Sequence, residues 1–126
     1  MIGGNTTGIL QVQAGHERDS VGKRIPKWHD VPIKDEKPEI LGWLDLQAGD
    51  SKRTTFNAKI QESTHVFVCD YQPIPATLEI EGEVVKVEAE TVRFVANSRQ
   101  YDVMLIDDPM ELHQQLEIYL KYTGGQ

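Results

Sequence analysis

Thr64-His65-Val66-Phe67-Val68-Cys69-Asp70-Tyr71 is the densest β signal in the chain, rich in β-branched and aromatic residues. Read with a period of two, His65, Phe67 and Cys69 share one face while Val66, Val68 and Asp70 share the other, as a strand requires. Pro73 and Pro75 end the run, because proline offers no N–H to a ladder.

Outward from this strand the same alternation returns. Residues 40–46, Ile-Leu-Gly-Trp-Leu-Asp-Leu, read as a second strong strand, with Trp43 expected in the core beside Ile40, Leu41, Leu44 and Leu46. Residues 9–14 read as a first strand. Residues 77–80 and 84–87 flank Glu81-Gly82-Glu83, a hairpin signal in which glycine is free to take positive φ. Residues 92–95 and 101–106 read as two strands joined by the polar turn 96–100. Asp107-Asp108-Pro109 is a stop, since proline biases the residue before it away from α. The last segment fits two periods. Leu112, Leu116 and Leu120 are spaced by four, yet Leu116, Ile118, Leu120 and Tyr122 alternate; Ile118 and the tyrosines favour a closing strand.

Between these elements the pattern weakens. Residues 15–22 are polar without a period and read as a loop or mobile arm. Residues 24–31, bracketed by Pro26 and Pro32 and carrying the isolated Trp28, read as an extended segment or edge strand. Residues 34–38 are a charged connector and 48–53 a turn or longer exposed loop, while 54–61 fit a short helix or a strand equally. Residues 1–7 and 123–126 are expected to be flexible tails. The expectation is one domain over 1–126, mainly β, with six to eight short strands and at most one short helix. Such a sheet leaves exposed edges unless it curls, so a curled antiparallel sheet or small β-barrel with long loops is the economical solution.

A chain of 126 residues suits one core and leaves no room for a second catalytic domain. Thirteen basic against twenty acidic residues give a formal charge of −7, which removes the usual electrostatic reason to expect nucleic-acid binding. The charge is uneven: from Ala76 onward there are ten acidic residues and four basic ones, and the basic residues gather around Lys23, Arg24, Lys27, Lys34, Lys37, Lys52 and Arg53. An acidic half and a more basic half suit head-to-side pairing in a ring. Cys69, the only cysteine, allows no intramolecular disulfide, in keeping with a reducing cytoplasm. Neither a signal peptide nor a run of about 20 apolar residues is legible, so a soluble protein without a membrane partner is expected.

Motifs for chemistry are sparse. A phosphate-binding glycine loop, a dinucleotide fingerprint and a His-Glu-x-x-His helix are all lacking, and no cofactor is expected. His65 and Cys69 on one strand lie about 13 Å apart, too far to share a zinc ion whose ligands sit within about 2.3 Å. Cys69 and His113 could meet across the sheet as nucleophile and base, but a buried cysteine and a surface histidine is the simpler reading, as for His16 and His29. Asp107 and Asp108, adjacent on a strand, would point to opposite faces, and a side-chain oxygen capping the turn explains them more simply than a shared metal. No catalytic or metal-ligating residue is assigned, and the chain is expected not to be an enzyme. Glu79, Glu81 and Glu83 read as an acidic strip on one side of the hairpin, solvated or partner-facing. Trp28 in its polar setting is either a plug over a barrel end or an interface anchor.

Several segments carry a resemblance: Trp28-His-Asp-Val31, Gly42-Trp-Leu-Asp-Leu46, Glu62-Ser-Thr-His-Val-Phe-Val-Cys-Asp-Tyr71, Arg99-Gln-Tyr-Asp-Val-Met-Leu-Ile-Asp-Asp-Pro-Met110 and His113-Gln-Gln-Leu-Glu-Ile-Tyr-Leu-Lys121. Together, over roughly residues 20–122, they resemble small head–tail joining (head-closure, connector or stopper) proteins of siphophages and prophages of Gram-positive bacteria. The resemblance implies a structural virion protein at the head–tail interface, made in the host bacterial cytoplasm. It would close the DNA-filled capsid and offer the docking ring for the tail. The partners implied are portal and adaptor proteins, tail or tail-terminator proteins, and further copies in a ring of about twelve, or about six for a tail terminator. Packaged DNA would pass through without sequence-specific binding, eased by an acidic channel lining. Loops 15–27 and 48–58 are the contact segments this suggests, and the interface candidates are Trp28, Arg24, Lys27, Lys52, Arg53, Glu79, Glu81, Glu83, Asp107 and Asp108. The alternatives are a tail-terminator or tail-completion protein and a cellular β-barrel protein-binding module.

Overall fold

The computed structural model describes residues 3–46 and 63–122. Nine strands form among them: β1 (Thr6–Arg18), β2 (Arg24–Asp30), β3 (Ile40–Leu46), β4 (His65–Asp70), β5 (Thr77–Ile80), β6 (Glu83–Lys86), β7 (Val92–Ala96), β8 (Arg99–Asp107) and β9 (Gln115–Lys121). The only helical turns described are two 3-10 turns, Ala89–Thr91 and Pro109–Glu111. Seven strands make an antiparallel sheet in the order β2-β1-β3-β4-β9-β8-β7, and β5-β6 is a separate hairpin. The main sheet curls strongly. Gly8–Val12 of β1 pair with Val92–Ala96 of β7, while Thr6–Gly8 pair with Ile40–Gly42 of β3. The hydrogen-bonded order therefore returns to β1. The mainly β, curled antiparallel sheet expected from the sequence is the fold observed.

Alternation places the core. Leu10, Val12, Ile40, Phe67, Cys69, Phe94, Tyr101, Leu116, Ile118 and Leu120 point inward and are buried. Phe67 and Phe94 pack with ring centroids 4.7 Å apart. Two glycines make room for them: a Cβ on Gly8 would lie 1.9 Å from Phe94 Cζ, and one on Gly42 2.6 Å from Phe67 Cζ. Gly42 also decides Trp43. With Ile40 and Gly42 inward, Trp43 faces outward and is 44% exposed, not in the core as its apolar neighbours suggested.

Two further expectations are corrected. Residues 15–18 are not a loop or mobile arm, since β1 continues to Arg18 and pairs with β2, and only the residues that follow form a turn. The register slips by one residue between Gln13 and His16, where Gly15 takes φ 76°, a bulge that only glycine adopts easily. The turn is held by Asp19, whose Oδ1 accepts the amides of Val21 (3.0 Å) and Lys23 (2.9 Å). Of the tail expected over 1–7, Thr6 and Thr7 belong to β1, and the Asn5 amide donates to Gly42 O at 2.9 Å. The segment after Pro109 closes the sheet as β9, as the alternation of Leu116, Ile118 and Leu120 indicated.

Candidate assembly surface

The outer face of β1 carries an ordered polar row. Gln11 pairs with Asp30 on one side and Arg93 on the other, and Arg93 pairs with Asp102. Gln11 Nε2 donates to Asp30 Oδ1 at 2.8 Å, and Arg93 Nε donates to Gln11 Oε1 at 2.9 Å. Arg93 Nη1 donates to Gln100 Oε1 at 3.1 Å. Trp28, opposite Gln13, faces the same way and lies half-buried under the Arg93 guanidinium, 4.2 Å from carbon to ring centroid. The two border a pocket of about 350 Å³ with Glu90, Gln100 and Asp102. Partial burial lowers the Arg93 pKa from its ordinary value. Trp28 is thus fixed on the outer wall beside a single cation. Sequence reading singled out Trp28 but missed Arg93, which alternation on β7 places outward.

Lys27 and Glu81, both interface candidates, meet each other. Lys27 Nζ lies 3.4 Å from Glu81 Oε1, joining the β5–β6 turn to β2 across solvent-exposed surface. An exposed pair of this kind contributes little to stability. Arg24 Nη2 approaches His16 Nδ1 at 3.3 Å on the projecting hairpin.

The acidic strip is not one strip. Ile80-Glu81-Gly82-Glu83 is a two-residue turn with φ of 52° and 84° at its centre, as a type I′ hairpin requires. Glu79 then lies opposite Val84 while Glu83 lies opposite Ile80, so Glu79 and Glu83 face opposite sides of the hairpin. Of the three, only Glu81 at the apex reaches a basic partner among the described residues. Lys52 and Arg53 lie outside the described residues.

Asp107 and Asp108 diverge, as adjacent residues at a strand end do. Asp107 faces outward opposite Glu117. Glu117 accepts hydrogen bonds from Tyr119 Oη at 2.7 Å and Gln115 Nε2 at 2.9 Å. Burial, then the Glu117 and Asp108 carboxylates, raise the Asp107 pKa. Burial and the hydrogen bond to Glu117 raise that of Tyr119 well above the ordinary phenol range. Asp108 turns back to cap the corner: its Oδ1 accepts the His113 amide at 3.0 Å and its Oδ2 meets His113 Nδ1. The His113 ring stacks on Tyr71 with centroids 4.5 Å apart.

That arrangement keeps His113 away from Cys69, which lies fully buried. Burial, with the Asp70 charge, pushes the Cys69 thiol up to about 12 against an opposing amide hydrogen bond from Leu116. A thiol so held is a poor nucleophile. Among the described residues no cluster of three or more His, Cys, Asp or Glu side chains is placed to hold a metal, and no helix is long and apolar enough to cross a membrane.

Among the described residues, Leu44, Asp45, Leu46, His65, Asn97, Arg99 and Tyr101 border a shallow depression of about 520 Å³ at the end of the sheet away from Asp108. His65 packs edge-on against Tyr101 at 5.2 Å and Tyr122 at 6.5 Å, and Arg99 lies 5.2 Å from the Tyr122 centroid. Burial and the Arg99 charge lower the His65 pKa. This site escaped sequence reading because its members come from three separated segments.

No protein-family model matches the sequence, and no curated protein is significantly similar to it. Among solved structures, a chain described as belonging to the virion of a native gene transfer agent particle is similar. The match covers 92% of this chain and 91% of that one, with 16% identity and a TM-score of 0.47.

Proposed function

We propose that this chain is a structural protein of the head–tail connector of a tailed phage or prophage, working as one copy of a ring that closes the filled capsid and receives the tail. The observation that carries this reading is where the resembling segments fall. Residues 42–46, 62–71, 99–110 and 113–121 supply β3, β4, β8 and β9, and these strands are consecutive neighbours in the sheet, β3-β4-β9-β8. Four of the five resembling segments therefore form one continuous wall, while the fifth, residues 28–31, lies on β2 beyond β1.

The β1–β2 hairpin supports the same role. Beyond Val12, β1 pairs with β2 alone, and this arm carries Arg24, while Lys27 is paired with Glu81 of the β5–β6 turn. The arm is suited to reach a neighbouring copy or an adjoining ring. The net charge of −7 suits a channel through which DNA passes without adhering. Deleting the gene tests the role. Full heads that leak DNA or fail to join tails, observed by electron microscopy, are expected; infectious particles in normal yield would overturn it.

A further inference from the structure

We propose that the outer edge of β8 at Ile106, with the apolar groove beside it, receives an extended segment of another protein in which apolar, β-forming residues are flanked by lysine or arginine.

The edge follows from strand register. Thr64 N donates to Leu120 O and Tyr71 N to Gln114 O, so the even-numbered residues of β9 turn their backbone groups towards β4. The odd-numbered Glu117 and Tyr119 therefore bond Asp107 and Leu105 of β8. Ile106, opposite Ile118, turns its N–H and C=O away from β9. The other neighbour does not reach it, because the pairing of β7 with β8 ends at Arg93 and Asp102. Neither backbone group of Ile106 has a hydrogen-bond partner among the described residues. A free N–H and C=O on one edge residue are what an added strand uses, since one residue of that strand can exchange both bonds.

The groove runs along this edge. Leu105 and Ile106, adjacent on a strand, point to opposite faces, so a cavity that touches both lies at the strand's margin. It measures about 290 Å³. Its other wall is Ile74, Pro75, Val87 and Ala89, at the base of the β5–β6 hairpin, where Val87 N donates to Ala76 O at 2.9 Å. The described chain breaks off elsewhere: Leu46 pairs with His65, and Tyr122 packs on His65 beside Tyr101, about 15 Å along β8 from Ile106.

Charge completes the description of the occupant. Glu88 and Glu90 stand on the rim, Asp107 follows Ile106 at the strand end, and no Lys or Arg lines the groove. The backbone edge calls for an extended chain, the apolar walls for aliphatic side chains, and the carboxylates for a cation beside them. The site is set by the chain's own fold and does not depend on the connector role.

A capped peptide of three valines flanked by lysines is the probe, titrated into the isotope-labelled full-length protein while its amide resonances are followed. Saturable shifts confined to Ile106, its neighbours on β8 and residues 87–90 are expected. Methylating the nitrogen of the central valine removes a donor and should weaken binding about tenfold, and replacing both lysines by glutamate should weaken it about fivefold. Ala89→Arg, which fills the groove and adds a cation at its rim, should abolish the shifts while melting stays unchanged; Glu90→Lys takes its place if that variant fails to fold. Absence of saturable shifts up to about 10 mM peptide, shifts scattered over the acidic surface, or equal binding of the methylated peptide would each overturn the site. Shifts at Ile106 that grow with protein concentration alone would make the occupant a second copy and overturn the assignment to a different protein. Gene deletion reads the virion role separately, so either result can fail without the other.

Discussion

The Arg93 guanidinium carbon stands 4.2 Å from the centroid of the Trp28 ring and ties β2 to β7 across the width of β1. The same arginine donates to Gln11 and Gln100, so one side chain organises the outer face of four strands. Trp28 lies on a half-buried outer wall and not within the core formed by Phe67 and Phe94.

Trp28→Ala should therefore spare the isolated fold. Loss of the cation–π contact and partial packing is expected to cost about 1 kcal/mol, a few degrees in Tm. Ring formation should fall more than stability does. Thermal melting of the free protein, set beside assembly on its partners, checks this; a collapse of Tm would make Trp28 a core residue.

Gly8→Ala should be severe for so small a change. The new methyl would sit 1.9 Å from Phe94 Cζ in a closely packed interior. Overpacking of this sort costs typically about 1–3 kcal/mol, and Phe94→Leu should recover part of the loss in the double variant. Urea midpoints for both single variants and the double variant measure the coupling. Strict additivity would mean that the ring is not what Gly8 accommodates.

Asp107→Asn should stabilise the protein at neutral pH. Burial, Glu117 and Asp108 raise the folded pKa of Asp107. Its contribution to stability is thus full below the unfolded value and is lost as pH rises through the folded one. The variant avoids two like charges opposite each other on β8 and β9, a gain of roughly 0.2–1 kcal/mol at pH 7 that closes below about pH 4. Denaturation curves between those pH values check it. A gap that does not change with pH would refute the assignment.

Cys69 should resist thiol reagents in the folded protein near pH 8 and react fully in denaturant, because it is buried and its pKa is pushed up to about 12. Rapid labelling under native conditions, followed by mass spectrometry, would contradict that placement.

What the sequence disclosed follows from where apolar alternation is strong. Residues 64–71, the hairpins around Gly82 and Asn97, and the last strand at Leu116, Ile118 and Leu120 all bury one face, and each was legible. The β1–β2 arm was not. Beyond Ala14 it leaves the core, so His16, Glu17 and Arg18 follow no burial period and resemble a loop. Trp43 misled for the opposite reason: hydrophobicity pointed inward while the parity set by Ile40 and Gly42 pointed outward. The glutamate strip failed because a two-residue turn puts residues 79 and 83 on opposite faces. Contacts such as Lys27–Glu81, 54 residues apart, and the depression shared by His65 and Arg99 depend on long-range strand pairing in the curled sheet, which no local pattern specifies.

The most direct test of the connector role is imaging the purified full-length chain with the portal–adaptor complex of its own phage or prophage, and separately with its tail tubes. A ring seated on the portal complex is the expected result. A ring on tail tubes alone would contradict the connector assignment in favour of a tail terminator, and no ring on either would contradict a role at the head–tail junction altogether.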